Sequence, residues 1–172
     1  ELLLAHQLHI GTATDKSAHP DIECQPYFTD RIGLVVPSYH PFAGRSSVEP
    51  TELLDHSFIR REEGCNTCQM LLDGLMEFGI HLDDLQVVMN VGSSEAIEMA
   101  VERGLGIAFV SLMAASRGID SGNLVEVPVE GLRLERPLYA ARNVRHPRTL
   151  AHERLWEFIG HYRAELVQKM GL

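Results

Sequence analysis

The sequence predicts an α/β fold with mostly parallel sheets. Two observations carry this expectation. Strand-like and helix-like segments alternate along the whole chain. Residues 90–111 (Asn-Val-Gly-Ser-Ser-Glu-Ala-Ile-Glu-Met-Ala-Val-Glu-Arg-Gly-Leu-Gly-Ile-Ala-Phe-Val-Ser) read as a complete strand, turn, helix and strand. In that block Gly92 permits the turn. Ser93 or Ser94 caps the helix, and Glu95 favours the same end through the helix dipole. Ala96, Ile97, Ala100 and Val101 share one helical face, with Glu95, Glu98 and Glu102 opposite. Gly104 ends the helix, and residues 105–110 form an apolar run suited to a strand covered on both faces.

The other elements follow in order. Residues 1–7 read as a helix already under way, without a starting methionine, so the chain is expected to be a fragment. Residues 8–13 form a strand, 14–20 a polar loop, and 31–36 a second strand closed by Pro37. Residues 37–42 are extended and bounded by prolines. Residues 48–54 give a short helical signal with Pro50 in its first turn, and 57–60 a short strand. A helix opens at residues 64–69, shows Leu71, Leu72, Leu75 and Phe78 on its apolar face, and closes at Gly79. Residues 85–91 lead into the block above. A short helix over 111–117 and strands over 124–127 and 138–142 complete the series. The last helix starts near Thr149 and is expected to bury Leu155, Phe158, Ile159, Tyr162 and Leu166. There is no repeat, low-complexity tract or Ser/Gly linker, so any two lobes are joined by ordered crossovers, with residues 37–42 and 127–134 as the candidates.

Composition narrows the function. The chain has 172 residues, 45 % of them hydrophobic, which suits a packed interior. No run approaches the ~20 apolar residues of a membrane span, and no signal peptide is visible. A net charge of −9 argues against this chain gripping a phosphate backbone by itself. Three cysteines, Cys24, Cys65 and Cys68, make no disulfide framework and point to a reducing, cytoplasmic location.

Several segments, taken in order, resemble one family. Phe58-Ile-Arg-Arg-Glu-Glu-Gly-Cys-Asn-Thr-Cys68 resembles the F-I-x-R-E-x-G-S-G-T-R loop of LysR-type transcriptional regulators. Val91-Gly-Ser-Ser-Glu-Ala-Ile followed by Val101-Glu-Arg-Gly-Leu-Gly-Ile-Ala resembles that family's G-S-x-E-A-I and A-V-x-x-G-L-G-I-A signature. Leu124-Val-Glu-Val-Pro-Val-Glu-Gly131 with Arg136-Pro-Leu-Tyr resembles its return strand. Ile10-Gly-Thr-Ala-Thr-Asp15 and Arg31-Ile-Gly-Leu-Val-Val-Pro-Ser-Tyr-His-Pro-Phe42 fit its upstream pattern. Each motif is weak alone, and their order and spacing together are specific.

The resemblance implies the family's effector-binding regulatory domain, with two Rossmann-like lobes of periplasmic-binding-protein type joined by two crossover segments. Lobe one would be residues 1–36 and 134–172, and lobe two residues 43–127. The family's DNA-binding domain and the first part of lobe one have no counterpart in the sequence. The implied partners are a small anionic effector in the interlobe cleft, a homodimer or tetramer partner, and DNA only through a domain not present in this chain, with no membrane. The partner-facing elements would be the helix over 67–78 and the strand over 85–91.

The candidate effector-binding residues each have a plainer alternative. Thr12 and Thr14 sit just past a strand's carboxyl end, where open α/β sheets bind ligands, or else form a polar turn. Asn66, Thr67, Ser93 and Ser94 open helices, where free amides meet anions, or else serve as ordinary caps. Tyr39 could line the cleft floor or simply pack. Cys65 and Cys68 form a C-x-x-C at a helix start, where thiolate is favoured, so a redox role is chemically reasonable. Of the nine histidines, His6 and His9 have helical spacing in a segment that reads as strand, His40 sits in the candidate crossover with Tyr39 close to the cleft, and His146, His152 and His161 lie before or on the last, solvent-facing helix; scattered single histidines are more often surface residues than ligands. No metal site, no cofactor and no catalytic constellation is assigned, so no enzyme is expected. The alternatives to an effector-sensing regulator are a solute-binding protein for transport and a thiol redox sensor using Cys65 and Cys68.

Overall fold

The computed structural model describes residues 1–62, 66–147 and 149–169, the last eight as backbone only. The elements run β1 (Ile10–Ala13), β2 (Ile22–Pro37), β3 (Ser57–Arg61), α1 (Asn66–Met76), β4 (Gln86–Val91), α2 (Ser94–Glu102), β5 (Ala108–Ser111), α3 (Ser116–Asp120), β6 (Leu124–Val127), β7 (Leu134–Asn143) and α4 (Leu150–Lys169), so strands and α-helices alternate from β3 to β6 but not at either end of the series. They form two compact units. One comprises Glu1–Asp30 and Arg136–Leu172, the other Arg31–Glu135. The chain passes from one unit to the other within β2 and near the start of β7. The expected crossover segments, 37–42 and 127–134, both lie inside the second unit. Residues 37–42 are also not extended. They form a turn in which His40 N donates to Pro37 O and Ala43 N to His40 O, because Pro37 ends the strand and the chain must fold back.

The second unit is built on apolar burial. Parallel β3 and β4 pair from Ser57↔Gln86 to Arg61↔Val91, with a register shift between Phe58 and Ile59. Alternation along β3 splits its side chains between two faces. Phe58 joins Leu71 and Leu75 of α1 in one cluster, and Ile59 joins Ile97, Ala100 and Val101 of α2 in the other. A 3₁₀ turn, Pro50–Asp55, precedes β3 and is held by a reciprocal capping box between Glu49 and Glu52.

Two glycines explain the segment after α2. Gly104 has φ +73°, which closes the helix left-handed, and Tyr39's phenol occupies the space where its Cβ would stand. A Cβ on Gly106 would lie 2.6 Å from Ser57 O, so only glycine lets this segment run against β3. Ile107 then exchanges hydrogen bonds with β3 before β5 begins at Ala108, later than the apolar run suggested. Leu105 is exposed.

The sheets are mixed rather than mostly parallel. β5 and β6 both pair antiparallel with β2, from Ile32↔Ser111 and Leu34↔Val127. β2 enters this unit from elsewhere in the chain, and alternation of elements carries no information about the direction of such a strand.

The first unit is thinner. β1 pairs antiparallel with β7 from Ile10↔Arg142 to Ala13↔Tyr139, and β7 lies beside β2. β2 begins nine residues before the expected strand, at Ile22. β7 likewise starts at Leu134 rather than 138. The expected opening helix is absent. Residues 1–7 form turns, with Ala5 N bonded to Glu1 O and Gln7 N to Leu2 O, and His6 adopts φ 56°. α4 starts as expected but turns a different face inward: Trp156 is buried, while Leu155 and Phe158 are 49 % and 44 % exposed. Tyr162 and Leu166 have side chains outside the described set. No helix of the described residues is long and apolar enough to cross a membrane.

Candidate functional site

Parallel β3 and β4 end together at Arg61 and Val91, and each is followed by a helix. Asn66 and Thr67 open α1, and Ser93 and Ser94 open α2. Four of the candidate residues are therefore gathered at one edge of one unit, at the carboxyl ends of parallel strands, the place where open α/β sheets bind ligands.

The two serines have separate tasks. Ser93 is the helix cap, with extended backbone and its Oγ accepting from Ala96 N at 3.1 Å. Ser94 Oγ accepts instead from Arg61 Nη1 at 3.3 Å. Arg61 is the residue that pattern reading passed over, although it stands in the quoted loop as a cation at a strand end just before a helix. Its Nε is buried and has no hydrogen-bond partner among the described residues. A buried donor costs free energy when left unmade, so this guanidinium is poised to meet an acceptor. Glu95 is held below the ordinary carboxylate value by its own backbone amide, then by the Ser93 hydroxyl, with Arg61 adding to the effect. Neighbouring Glu98 is pushed up by burial and by Glu95 and Glu102. Arg60 points the other way from Arg61 and donates from Nε to Asn90 Oδ1 at 2.6 Å.

The remaining candidates are placed elsewhere. Tyr39 is 71 % exposed and lies against Gly104, at the carboxyl end of α2. A nine-residue helix is roughly 13 Å long, so Tyr39 is not at the edge that carries Ser93 and Ser94. Thr12 lies in β1 and is exposed, and Thr14 follows it with Oγ1 donating to Asp15 Oδ2 at 3.4 Å; both belong to the other unit. Cys65 lies outside the described residues. Cys68 Sγ sits 3.3 Å from Arg61 O, donating to the strand end. Among the described residues no three or more His, Cys, Asp or Glu side chains form a group able to hold a metal ion.

Comparison with known proteins agrees with the geometry. The model of the LysR substrate binding domain matches residues 1–164. An HTH-type transcriptional regulator of Methanocaldococcus jannaschii is 35 % identical over 130 residues, which cover 76 % of this chain and 44 % of that protein. The chain thus spans less than half the length of this relative. Among solved structures, the CcmR regulatory domain of Synechocystis PCC6803 in complex with 2-PG superposes with a TM-score of 0.78 at 20 % identity, covering 92 % of this chain and 74 % of that one. The effector binding domain of QuiR in complex with shikimate gives 0.77 at 18 % identity, covering 95 % and 76 %. At these identities the structures speak for the fold alone.

Proposed function

The chain belongs to the LysR substrate binding domain family, and on that premise we propose that it is the effector-sensing part of a transcription regulator, reading a small anionic metabolite at the ends of β3 and β4. The observation that carries the reading is Arg61. Its guanidinium bonds Ser94 at the first turn of α2, and its buried Nε is a donor without a partner among the described residues. A cation, a hydroxyl and a helix start suit a carboxylate or phosphate better than a neutral ligand. The relatives' ligands fit this chemistry, since shikimate is a carboxylate. Asn66 and Thr67 are the further contacts proposed at this edge; Thr12 and Thr14, at the end of β1, are kept as a separate proposal. Tyr39 is left out.

The reading is recognition without catalysis. Binding favours one of two conformations, and the regulator's DNA-binding part responds to the shift. That part lies outside this sequence; a net charge of −9 makes this chain a poor ligand for DNA itself. We take the two compact units as the two lobes. Exposed Met76, Val88 and Met89 on α1 and β4 support a homo-oligomer formed through those elements, working in the cytoplasm. Neither transport nor thiol redox has comparable support.

The test is a thermal-shift screen with phosphate, sulfate, thiosulfate and small carboxylates. One anion class is expected to raise the melting temperature by several degrees, in proportion to its occupancy. Ser94→Ala should weaken that shift and Arg61→Gln should abolish it. A neutral apolar ligand giving the same shift in wild type and Arg61→Gln would overturn the proposal.

A further inference from the structure

Three histidines far apart in sequence meet in the first unit. His9 stands just before β1, His146 in the turn after β7, and His152 in the first turn of α4. The His9 ring lies between the other two, with centroids 4.1 Å from His146 and 3.9 Å from His152, tilted by 45° and 41°. His6 adds an edge contact to His146 at 5.0 Å. The rings border a small cavity that Arg142 and Glu153 share. The rings meet at tilted angles. They do not converge as metal ligands do, and no group able to hold a metal is found among the described residues. The remaining chemistry of clustered imidazoles is proton uptake.

The surroundings limit how many protons the cluster takes. Both ring nitrogens of His146 face carbonyl oxygens, Nδ1 to Pro147 O at 3.2 Å and Nε2 to His6 O at 3.3 Å. A neutral ring donates through one nitrogen only. Around it, Arg142 of β7 pairs with Glu23 of β2 at 2.7 Å and with Glu153 of α4 at 3.3 Å. Arg145 and Asp21 pair with each other at 2.6 Å. The two carboxylates on Arg142 exceed it by one negative charge, which matches a single imidazolium. A second proton would place like charges in rings whose centroids lie about 4 Å apart. His9, in the middle, is accordingly held below its ordinary value of 6.5, first by loss of solvent and then by His152 and His146.

We infer that His9, His146 and His152 form a proton-sensitive latch that fastens the first turn of α4 to the start of β1, with the rings packed together at neutral pH and driven apart by a second proton. The sign follows from the middle ring. A histidine favoured neutral in the fold contributes stability above 6.5 and loses it as pH falls below that value. The latch stands independently of the effector reading.

The test is a histidine NMR titration of the intact protein, with hydrogen exchange of the amides of residues 153–156. His9 is expected to titrate below 6.5, with a coupled, non-ideal curve. Protection of those amides, corrected for intrinsic exchange, should fall about tenfold between about pH 7 and pH 5. His9→Phe keeps a ring in the cluster but takes no proton, and should hold protection constant within about twofold over the same range. His9 titrating independently near 6.5 with unit slope, and protection that does not change with pH, would overturn the latch. The wild-type titration decides even if the variant folds poorly.

Discussion

The two units are held together by different forces. In the unit Arg31–Glu135, Phe58, Leu34, Leu53, Ile59, Leu75 and Ile97 are almost wholly removed from water. Among the described residues of the other unit, apolar burial is limited largely to Ala140, Ala141 and Trp156, while Leu2, Leu4, Leu150, Leu155 and Phe158 stay exposed. Polar ties take its place there. Buried Asp30 pairs with Arg136, and Arg142 reaches Glu23 and Glu153 while lying 4.4 Å over the Trp156 ring. Gln25 Nε2 donates to Trp156 O at 3.0 Å. Apolar cores are non-directional and stabilise in proportion to area, whereas ionic ties are directional and respond to protons. The proposed effector edge lies in the unit with the core, and the proposed latch in the unit with the ties.

Substitutions can break or sharpen that contrast. Phe58→Ala should cost about 4 kcal/mol, because a fully buried ring leaves a cavity between α1 and β3; denaturant melts would show it. Asp30→Ala should cost about 3 kcal/mol by removing the buried carboxylate that pairs with the partly buried Arg136. A loss as small as that of a surface ion pair would mean that the first unit does not depend on its ties. Gly106→Ala should cost about 1–3 kcal/mol, since the new Cβ meets the backbone oxygen of Ser57. Leu155→Ala should change stability by no more than about 0.5 kcal/mol. A cost several times larger would reveal apolar packing in the first unit and weaken the contrast.

The same contrast explains what could be read from the sequence. In the apolar unit, periodicity and turn chemistry located β3, β4, β6, α1 and α2, and the Ser93 cap and the Gly104 stop fall where the pattern placed them. The direction of β2 against β5 and β6 was not legible, because it depends on pairing between distant segments. In the polar unit, the first half of β2 (Ile22 to Asp30) was missed. It is interrupted by Pro26 and polar residues, and pairing with β7 orders it. The rotation of α4 was misjudged for a related reason. Its apolar residues suggested one face, but Gln25 and Arg142 fix Trp156 inward instead. At the candidate site, the helix-opening hydroxyls were visible as motifs, and Asn66, Thr67, Ser93 and Ser94 do share one edge. Tyr39 does not join them, because the turn after Pro37 carries it to the far end of α2. Arg61 escaped notice because a charged residue ending a strand is usually a solvated one; only its buried Nε distinguishes it.

The most direct measurement is calorimetric titration of the best anion from the thermal-shift screen into wild type, Arg61→Gln and Tyr39→Ala. Recognition at the ends of β3 and β4 predicts that Arg61→Gln weakens binding at least tenfold, about 1.4 kcal/mol or more, while Tyr39→Ala leaves it within about twofold. Binding unchanged in Arg61→Gln, or lost in Tyr39→Ala, would contradict the site.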